Sequence, residues 1–144
     1  MSAFEFFGKF THSLDAKGRL ILPARFRTPF DPAAYVTPHY DNCLALWTPE
    51  TFSIQRAERA ETENRSSDDR QRFRAWSSRV EKVQVDAQGR VPISAELRAL
   101  AQLSSNAFVV GMVDRVEIWD PARWEAVVNA VDSVGVGSSG AAGE

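Results

Sequence analysis

Hydrophobic and polar positions alternate along the opening segment of the chain, FEFFGKFTHSL at 4–14, and this period of two predicts a β-strand. The next residues, DAKG at 15–18, predict a turn, because aspartate accepts backbone N–H bonds and glycine tolerates positive φ. Leu20, Ile21 and Leu22 predict a short buried strand, and Pro23 suits the first turn of a helix. The pattern therefore predicts a β-hairpin whose tip exposes its basic residues.

The same order of elements recurs later. A strand at 80–85, a DAQG turn at 86–89 and a strand at 90–93 precede a short helix capped by Ser94. Further strands are predicted at 107–113 and 115–119, and Asp120 with Pro121 begins a last helix.

The middle of the chain predicts one strand and two polar helices. The strand CLALW at 43–47 ends at Thr48 and Pro49, which are typical N-cap and N1 residues of a helix that runs to about residue 63. A second helix follows the cap Ser66 and carries Phe73 and Trp76 on its apolar face.

The two halves are related by an internal repeat. LDAKGRLILPARFR at 14–27 aligns without gaps with VDAQGRVPISAELR at 85–98, 71 residues later. A second echo, LWTPETF at 46–52 and IWDPARW at 118–124, follows at an offset of 72. The matched residues include Asp15 and Asp86, Gly18 and Gly89, Arg19 and Arg90, and Arg27 and Arg98. Two echoes at nearly the same spacing indicate a tandem duplication of a unit of about seventy residues.

Composition limits the architecture and the cellular setting. A chain of 144 residues, 44% hydrophobic, supports one compact domain or two closely packed halves. One cysteine, Cys43, excludes an internal disulfide, and no segment resembles a signal peptide or the roughly 20 apolar residues of a membrane span. A soluble cytoplasmic protein is expected. The glycine- and serine-rich residues 132–144 predict a disordered tail.

Charge is unevenly distributed along the chain. The net charge is −2, yet residues 1–27 carry five basic and two acidic side chains, and residues 76–144 carry six basic and nine acidic ones. Because the fields of exposed charges are screened over roughly 10 Å, a locally basic face attracts phosphate even on a mildly acidic protein.

The repeated turns have two compatible interpretations. In the structural one, the aspartate caps the turn, the glycine supplies the dihedral angle, and the arginine returns a charge-assisted hydrogen bond. In the other, Lys17 and Arg19 are presented on a two-stranded ribbon, which fits the major groove of DNA, where arginine grips guanine with two hydrogen bonds.

Enzymatic chemistry is not indicated. His12, His39 and Cys43 form no spaced ligand pair for zinc, GKF at 8–10 lacks the spacing of a phosphate-binding loop, and no nucleophile accompanies the Asp–Arg pairs. We therefore expect no catalytic residue, no metal and no cofactor. Core packing is the better explanation for the tryptophans at 47, 119 and 124.

The doubled D-x-x-G-R turns and the paired W-[T/D]-P helix starts resemble the MraZ transcriptional regulators over about residues 4–130. The resemblance implies an α+β fold, in which two tandem AbrB-like swapped-hairpin β units form an intramolecular pseudo-dimer with peripheral helices. The first unit with its helical extension would span residues 4–79, the second 80–131, and the tail 132–144.

The resemblance also implies a function. Family members are repressors of the bacterial division and cell-wall gene cluster that includes their own gene; they bind repeated promoter boxes in double-stranded DNA as ring-like homo-oligomers. An octamer is one such ring. A nucleoid-associated protein with no membrane or small-molecule partner is expected.

The DNA-contacting positions carry over residue by residue. They fall on Lys17 and Arg19 in the first turn and on Gln88 and Arg90 in the second, with Lys9 a weaker candidate for a phosphate contact. The turn itself would be built by Asp15, Gly18, Asp86 and Gly89. The second half departs from the pattern, with Gln88 in place of a lysine and with Pro92 and Ser94 in the positions of Ile21 and Pro23. The second turn is thus expected to be the weaker DNA reader.

Two other classes of function stay open at this point. AbrB-like folds also occur in antitoxins, which are protein-binding modules that grip a toxin through a C-terminal segment. A structural ring without DNA contact is the third possibility. Salt dependence of DNA binding distinguishes them, because recognition through several phosphates weakens steeply with salt.

Overall fold

A computed structural model describes residues 5–131, so the predicted tail at 132–144 lies outside the described part of the chain. The strands are β1 Lys9–Ser13, β2 Arg19–Ile21, β3 Ala34–Pro38, β4 Leu44–Trp47, β5 Glu81–Val83, β6 Arg90–Pro92, β7 Asn106–Gly111 and β8 Val116–Trp119. The helices are α1 Pro49–Glu61, α2 Ser67–Ser77, α3 Ala95–Leu100 and α4 Pro121–Trp124, the last continued by a π-helical turn over Glu125–Asn129. The α+β class is confirmed.

The strands form two antiparallel sheets. Six strands lie in the order β1-β7-β8-β4-β3-β5, and β2 pairs with β6 in a separate two-stranded ribbon. The repeat matches β1 with β5, β2 with β6, β3 with β7, and β4 with β8. Under that correspondence the six-stranded order reads the same from both edges, so the two repeats are arranged as an approximate two-fold pair.

The main core lies between the six-stranded sheet and the ribbon. It contains the inward side chains of both sheets, and Phe6, which stacks on Phe30 and meets Phe26 edge-on, completes it. Its fully buried aliphatic residues include Leu20, Leu22, Val36, Leu44, Leu46, Val91, Leu97, Val109, Val116 and Ile118. The ribbon is therefore anchored on the sheet through one face and leaves the other face outward.

Helices α1, α2 and α4 cover the opposite face of the sheet, whereas α3 contributes Leu97 to the main core. Phe52 of α1 stacks on Tyr35 of β3 at 4.2 Å between ring centroids and approaches Trp76 of α2 at 6.0 Å. Trp124 of α4 meets Trp119 edge-on at 5.3 Å. Trp76 is buried, so the apolar face predicted for α2 packs within the chain. The packing roles predicted for the tryptophans at 47, 119 and 124 are confirmed.

The predicted helix caps are confirmed in hydrogen-bond detail. The Thr48 hydroxyl accepts the backbone N–H of Thr51 at 3.0 Å, and the Thr51 hydroxyl accepts that of Thr48. Ser66, Ser94 and Asp120 each accept the N–H three residues ahead, at 3.0, 3.2 and 3.0 Å. These local bonds satisfy donors that a helix start leaves unpaired.

The predicted hairpin differs from the structure. β1 and β2 meet only at the bridge between Leu14 and Leu20, whereas β1 pairs along its length with β7. The expectation that the two strands beside one turn form the ribbon is wrong, because each repeat contributes one strand to it. With only three residues, β2 gains its ladder from the equivalent strand, whose Val91 completes the same buried layer as Leu20.

Three smaller features also differ. Ile21 is 38% exposed rather than buried, because alternation on a strand turns it away from buried Leu20 and Leu22. Pro23 precedes only a 3-10 turn at Ala24–Phe26, which is followed directly by a second 3-10 turn at Thr28–Phe30. The interior strand β3 is not among the predicted elements; it is a short run that follows Pro32 and ends at Pro38.

None of the helices within residues 5–131 is long and apolar enough to cross a membrane.

Candidate nucleic-acid interface

The first turn is built around the carboxylate of Asp15. Its Oδ1 accepts the backbone N–H groups of Lys17 and Arg19, both at 2.9 Å, and its Oδ2 accepts Nε–H of Arg19 at 2.8 Å. The N–H of Gly18 donates to the Asp15 carbonyl at 2.9 Å, and the N–H of Asp15 donates to the Arg19 carbonyl at 2.9 Å. Gly18 has a φ of 76°, the left-handed conformation that closes such a turn. The turn thus satisfies its own backbone and orients Arg19.

The second turn repeats this geometry. Asp86 Oδ1 accepts the N–H groups of Gln88 and Arg90 at 2.9 Å each, and Oδ2 accepts Arg90 Nε–H at 2.6 Å. Gly89 has a φ of 81°, and its N–H donates to the Asp86 carbonyl at 2.9 Å. In both turns the aspartate thus accepts backbone N–H groups and the arginine side chain donates back to its carboxylate.

Both turn carboxylates have a pKa below the usual range. For Asp15 the largest cause is the hydrogen bond from the Arg19 backbone N–H, with further lowering from the Arg19 side chain and the Lys17 N–H. For Asp86 the Arg90 backbone N–H is again the largest cause. Desolvation acts in the opposite direction at both sites. Hydrogen bonds to the charged form thus favour the ionised state of each aspartate.

Part of the guanidinium of each turn arginine forms no hydrogen bond within residues 5–131. In Arg19 and Arg90 the Nε–H donates to the turn aspartate, and neither side chain donates another hydrogen bond within residues 5–131. The side chains are 28% and 31% exposed. A guanidinium anchored at Nε still offers its two Nη groups in a rigid fork, which matches guanine O6 and N7 or two phosphate oxygens.

The ribbon brings the two arginines onto one surface. Its paired positions are Arg19 with Pro92, Leu20 with Val91, and Ile21 with Arg90. Leu20 and Val91 are fully buried, so the other four residues share the outward face. Arg19 and Arg90 are diagonal neighbours on this face, a relationship that places side chains about 7–8 Å apart. Candidate residues from both repeats therefore belong to one surface.

The remaining predicted residues are placed differently. Lys17 and Gln88 are exposed at equivalent positions of the two turns. Lys9 is not brought to the ribbon: its Nζ lies 4.4 Å from the centroid of the Phe108 ring and 5.5 Å from that of Trp124. Those rings belong to the cluster on the helix-covered side of the sheet. The structure thus separates Lys9 from the two turns.

Two further arginines lie at the turns. The guanidinium of Arg98 lies against Gly18, and that of Arg27 lies against Gly89, so each arginine contacts the turn of the opposite repeat. Sequence reasoning matched Arg27 with Arg98 but gave neither a role. Their recurrence at the same repeat position was the available signal.

Within residues 5–131 no three side chains among histidine, cysteine, aspartate and glutamate are grouped to hold a metal ion.

Comparison with known proteins agrees with this architecture. The family model described as "MraZ protein, putative antitoxin-like" matches residues 6–74 and 78–135, one match for each repeat. The protein named Transcriptional regulator MraZ of Nocardioides sp. is 40% identical over 83% of this chain and 83% of its own length. The proteins of the same name from Nocardia farcinica and Acetivibrio thermocellus are 41% and 36% identical, each over 84% of this chain and 85% of its own length. The chain, with its two tandem repeats and its doubled Asp–Arg turns, belongs to the MraZ family.

Proposed function

We propose that the protein is a sequence-specific DNA-binding transcriptional regulator that contacts double-stranded DNA with the outward face of the β2–β6 ribbon and the two turns beside it. The observation that carries the proposal is the placement of Arg19 and Arg90 on that face, each held at Nε by its own aspartate. Pre-ordered arginine forks lose little side-chain entropy when they bind, which favours specific contacts.

The dimensions of the ribbon support this mode of binding. Two strands about 4.8 Å apart fit within a major groove about 12 Å wide. Exposed Ile21, which pairs with Arg90 and lies two residues after Arg19 on the same face, offers an apolar contact of the kind that suits a thymine methyl group. Lys17 lies at the turn tip, where a flexible cation suits the phosphate backbone.

We propose that residues 4–79 and 80–131 are two AbrB-like units that exchange hairpins within one chain. Four pairings between the repeats support this arrangement: β2 with β6, β1 with β7, β5 with β3, and β4 with β8. Fusion of the two units would make their association intramolecular, at a high effective concentration.

The proposed targets are repeated promoter boxes upstream of the division and cell-wall gene cluster that includes the protein's own gene, with repression as the outcome. The names of the related regulators support a role in transcription. Such a role implies a cytoplasmic protein that associates with the nucleoid. On repeated boxes, weak contacts from several subunits would combine to give a higher overall affinity for DNA, as in other multivalent binding.

We also propose a ring-like homo-oligomer. Apolar side chains that remain exposed support it: Phe7, Tyr40, Ile54, Met112, Val113 and Val131. Phe7 and Val113 are brought close by the bridge between Phe6 and Val113, so part of this surface is contiguous. Light scattering should give a multiple of 16.0 kDa at micromolar concentration, and a mass near 16.0 kDa would contradict the ring.

The test of DNA recognition is a fluorescence anisotropy titration with the DNA upstream of the protein's own gene. A shuffled fragment of equal length serves as the control. Specific binding should exceed binding to the shuffled fragment by about 10³-fold or more and should weaken steeply with salt. Equal affinity for both fragments would contradict sequence-specific recognition.

A protein-binding role of the antitoxin type is the second candidate, because the description of the family model carries that term. It predicts a stable complex with a protein partner and no difference between the two DNA fragments. The same titration therefore separates the two functions.

A further inference from the structure

The two turn glycines are enclosed by arginines from the opposite repeat. A Cβ atom added to Gly18 would lie 2.7 Å from Cζ of Arg98, and one added to Gly89 would lie 2.7 Å from Cδ of Arg27. Arg27 and Arg98 are equivalent in the repeat, so the same contact occurs twice with the roles of the repeats exchanged. Because the contact occurs at equivalent positions of both repeats, we regard it as part of the repeat's architecture and not as an incidental surface contact.

Backbone bonds between the repeats fix the same two glycines. The carbonyl of Gly89 accepts the N–H of Leu22 at 2.8 Å, and the carbonyl of Gly18 accepts the N–H of Ile93 at 3.0 Å. Each glycine thus has the opposite repeat's strand bonded to its carbonyl and the opposite repeat's arginine packed over its Cα.

We propose that Arg27 and Arg98 are positioning residues for DNA binding that act between repeats: Arg98 holds the turn of Lys17 and Arg19, and Arg27 holds the turn of Gln88 and Arg90. This inference rests on the proposed function, because it concerns the orientation of the arginines assigned there to DNA. It makes each DNA-contacting turn depend on an arginine of the opposite repeat, although Gly18 and Arg98 are 80 positions apart in sequence.

The physical reason lies in the glycine at the fourth position of each turn. A left-handed glycine closes the turn but has no side chain to pack, so its outer surface is open unless another group covers it. A planar guanidinium stacks flat against such a surface, and it adds a permanent positive charge beside the turn. A lysine ammonium is a compact, hydrated charge and does not cover the surface in the same way.

The two arginines are not held equally. Arg27 Nε donates to the Leu22 carbonyl at 3.0 Å, whereas Arg98 Nε is buried and has no hydrogen-bond partner within residues 5–131. Loss of Arg27 also leaves a carbonyl without its donor, which lowers stability. Loss of Arg98 removes an unpaired donor, so Arg98→Ala is the variant expected to stay fully folded.

The first test needs no DNA. Hydrogen-exchange mass spectrometry on the full-length protein should show faster exchange in peptides covering residues 14–22 in Arg98→Ala and in peptides covering 85–93 in Arg27→Ala. Exposed Arg56 on α1 offers a control of equal charge, and Arg56→Ala should change neither turn. Unchanged exchange in the opposite turn would overturn the positioning role.

The second test uses DNA affinity in double-mutant cycles. Arg98→Ala should reduce affinity for the promoter fragment about fivefold or more, the lower end of the loss of one bidentate contact, and Arg98→Lys should not restore it. Arg98→Ala and Arg19→Ala should be coupled by at least about twofold, because they act on one turn, whereas Arg98→Ala and Arg90→Ala should combine additively. Additive effects with Arg19, or full rescue by lysine, would overturn the proposal.

The two tests also separate this inference from the proposed function. If the wild-type protein fails to distinguish the promoter fragment from the shuffled one, the proposed function fails. The hydrogen-exchange rates of the turn peptides in Arg98→Ala and Arg27→Ala then still decide whether the two arginines hold the turns of the opposite repeat.

Discussion

Leu20 and Val91 occupy equivalent positions in the two repeats and pair directly with each other across the β2–β6 ribbon. The approximate two-fold axis of the molecule therefore passes through this pair. Arg19 and Arg90 flank it on the outward face, so the internal duplication yields a surface with two matching arginine forks. A matched pair of contacts suits a ligand that is itself repetitive, as duplex DNA is.

Arg19→Ala should lower affinity for the promoter fragment by about 1–3 kcal/mol per subunit, which is about 5–150-fold, because a bidentate contact is lost. The fold should persist, since an exposed ion pair contributes about 0–1 kcal/mol. Arg90→Ala should cost less, because Gln88 provides no charge beside it. Anisotropy titrations of both variants at one salt concentration measure this. Wild-type affinity in Arg19→Ala would contradict the assignment, and equal losses would show that the second turn is not the weaker reader.

Lys17→Gln gives the first turn the glutamine that the second turn has at the equivalent position, Gln88. This change should reduce the salt dependence of DNA binding. The slope of log K against log salt should fall by about 0.9 for each phosphate contact that is lost. Gln88→Lys is the matched opposite change and should steepen the slope by the same amount. A slope that is unchanged in both variants would show that the turn tips do not contact phosphate.

Asp15→Ala should lower the melting temperature, because two backbone N–H groups and the Arg19 side chain lose their acceptor. The pKa of Asp15 is lowered in the folded state, so its stabilising effect is present above the unfolded value of about 3.9 and is lost as pH falls through the folded value. The difference between the melting temperatures at pH 7 and pH 3 should therefore be smaller in the variant than in the wild type. An equal difference would argue against this role.

Leu20→Ala should destabilise the protein by about 2–5 kcal/mol, because it opens a cavity in the layer that joins both repeats. Ile21→Ala, on the outward face of the same strand, should change stability by no more than about 0.5 kcal/mol. Urea denaturation measures both, and a single transition is expected because the repeats share this core. A large effect of Ile21→Ala would instead indicate that another copy covers the ribbon.

His39 should make stability depend on pH. Burial, followed by the nearby positive charges of Arg115 and Arg59, lowers its pKa from 6.5 to about 4 and outweighs the Glu117 carboxylate, which lies 3.7 Å from Nε2 and acts in the opposite direction. The unfolded chain then binds more protons between these values, so the free energy of unfolding is greatest above about pH 6.5 and falls as pH decreases towards 4. The free energy of unfolding, measured by urea denaturation, should differ less between pH 7.5 and pH 5 in His39→Gln than in the wild type. A difference of the same size would assign the pH dependence to other groups.

Local structure was predictable from the sequence wherever neighbouring residues satisfy one another. The DAKGR and DAQGR turns close on their own aspartates, and Thr48, Ser66, Ser94 and Asp120 cap helices through bonds three residues long. The 71-residue spacing of the repeat showed that two similar units exist. These features depend on short-range hydrogen bonds and on residue order, both of which are readable along the chain.

Only the tertiary structure decided which strands pair. Alternation of hydrophobic and polar residues indicates which face of a strand is buried, but it does not indicate which strand lies beside it. The pattern therefore predicts that β2 pairs with β1, whereas the partner of β2 in the structure is β6. The choice depends on burying Leu20 with Val91 over a shared core, a contact between residues 71 positions apart. For the same reason the sequence determined that Arg19 and Arg90 are alike, whereas the fold decided that they share one face and that Arg98 and Arg27 cover the opposite turns.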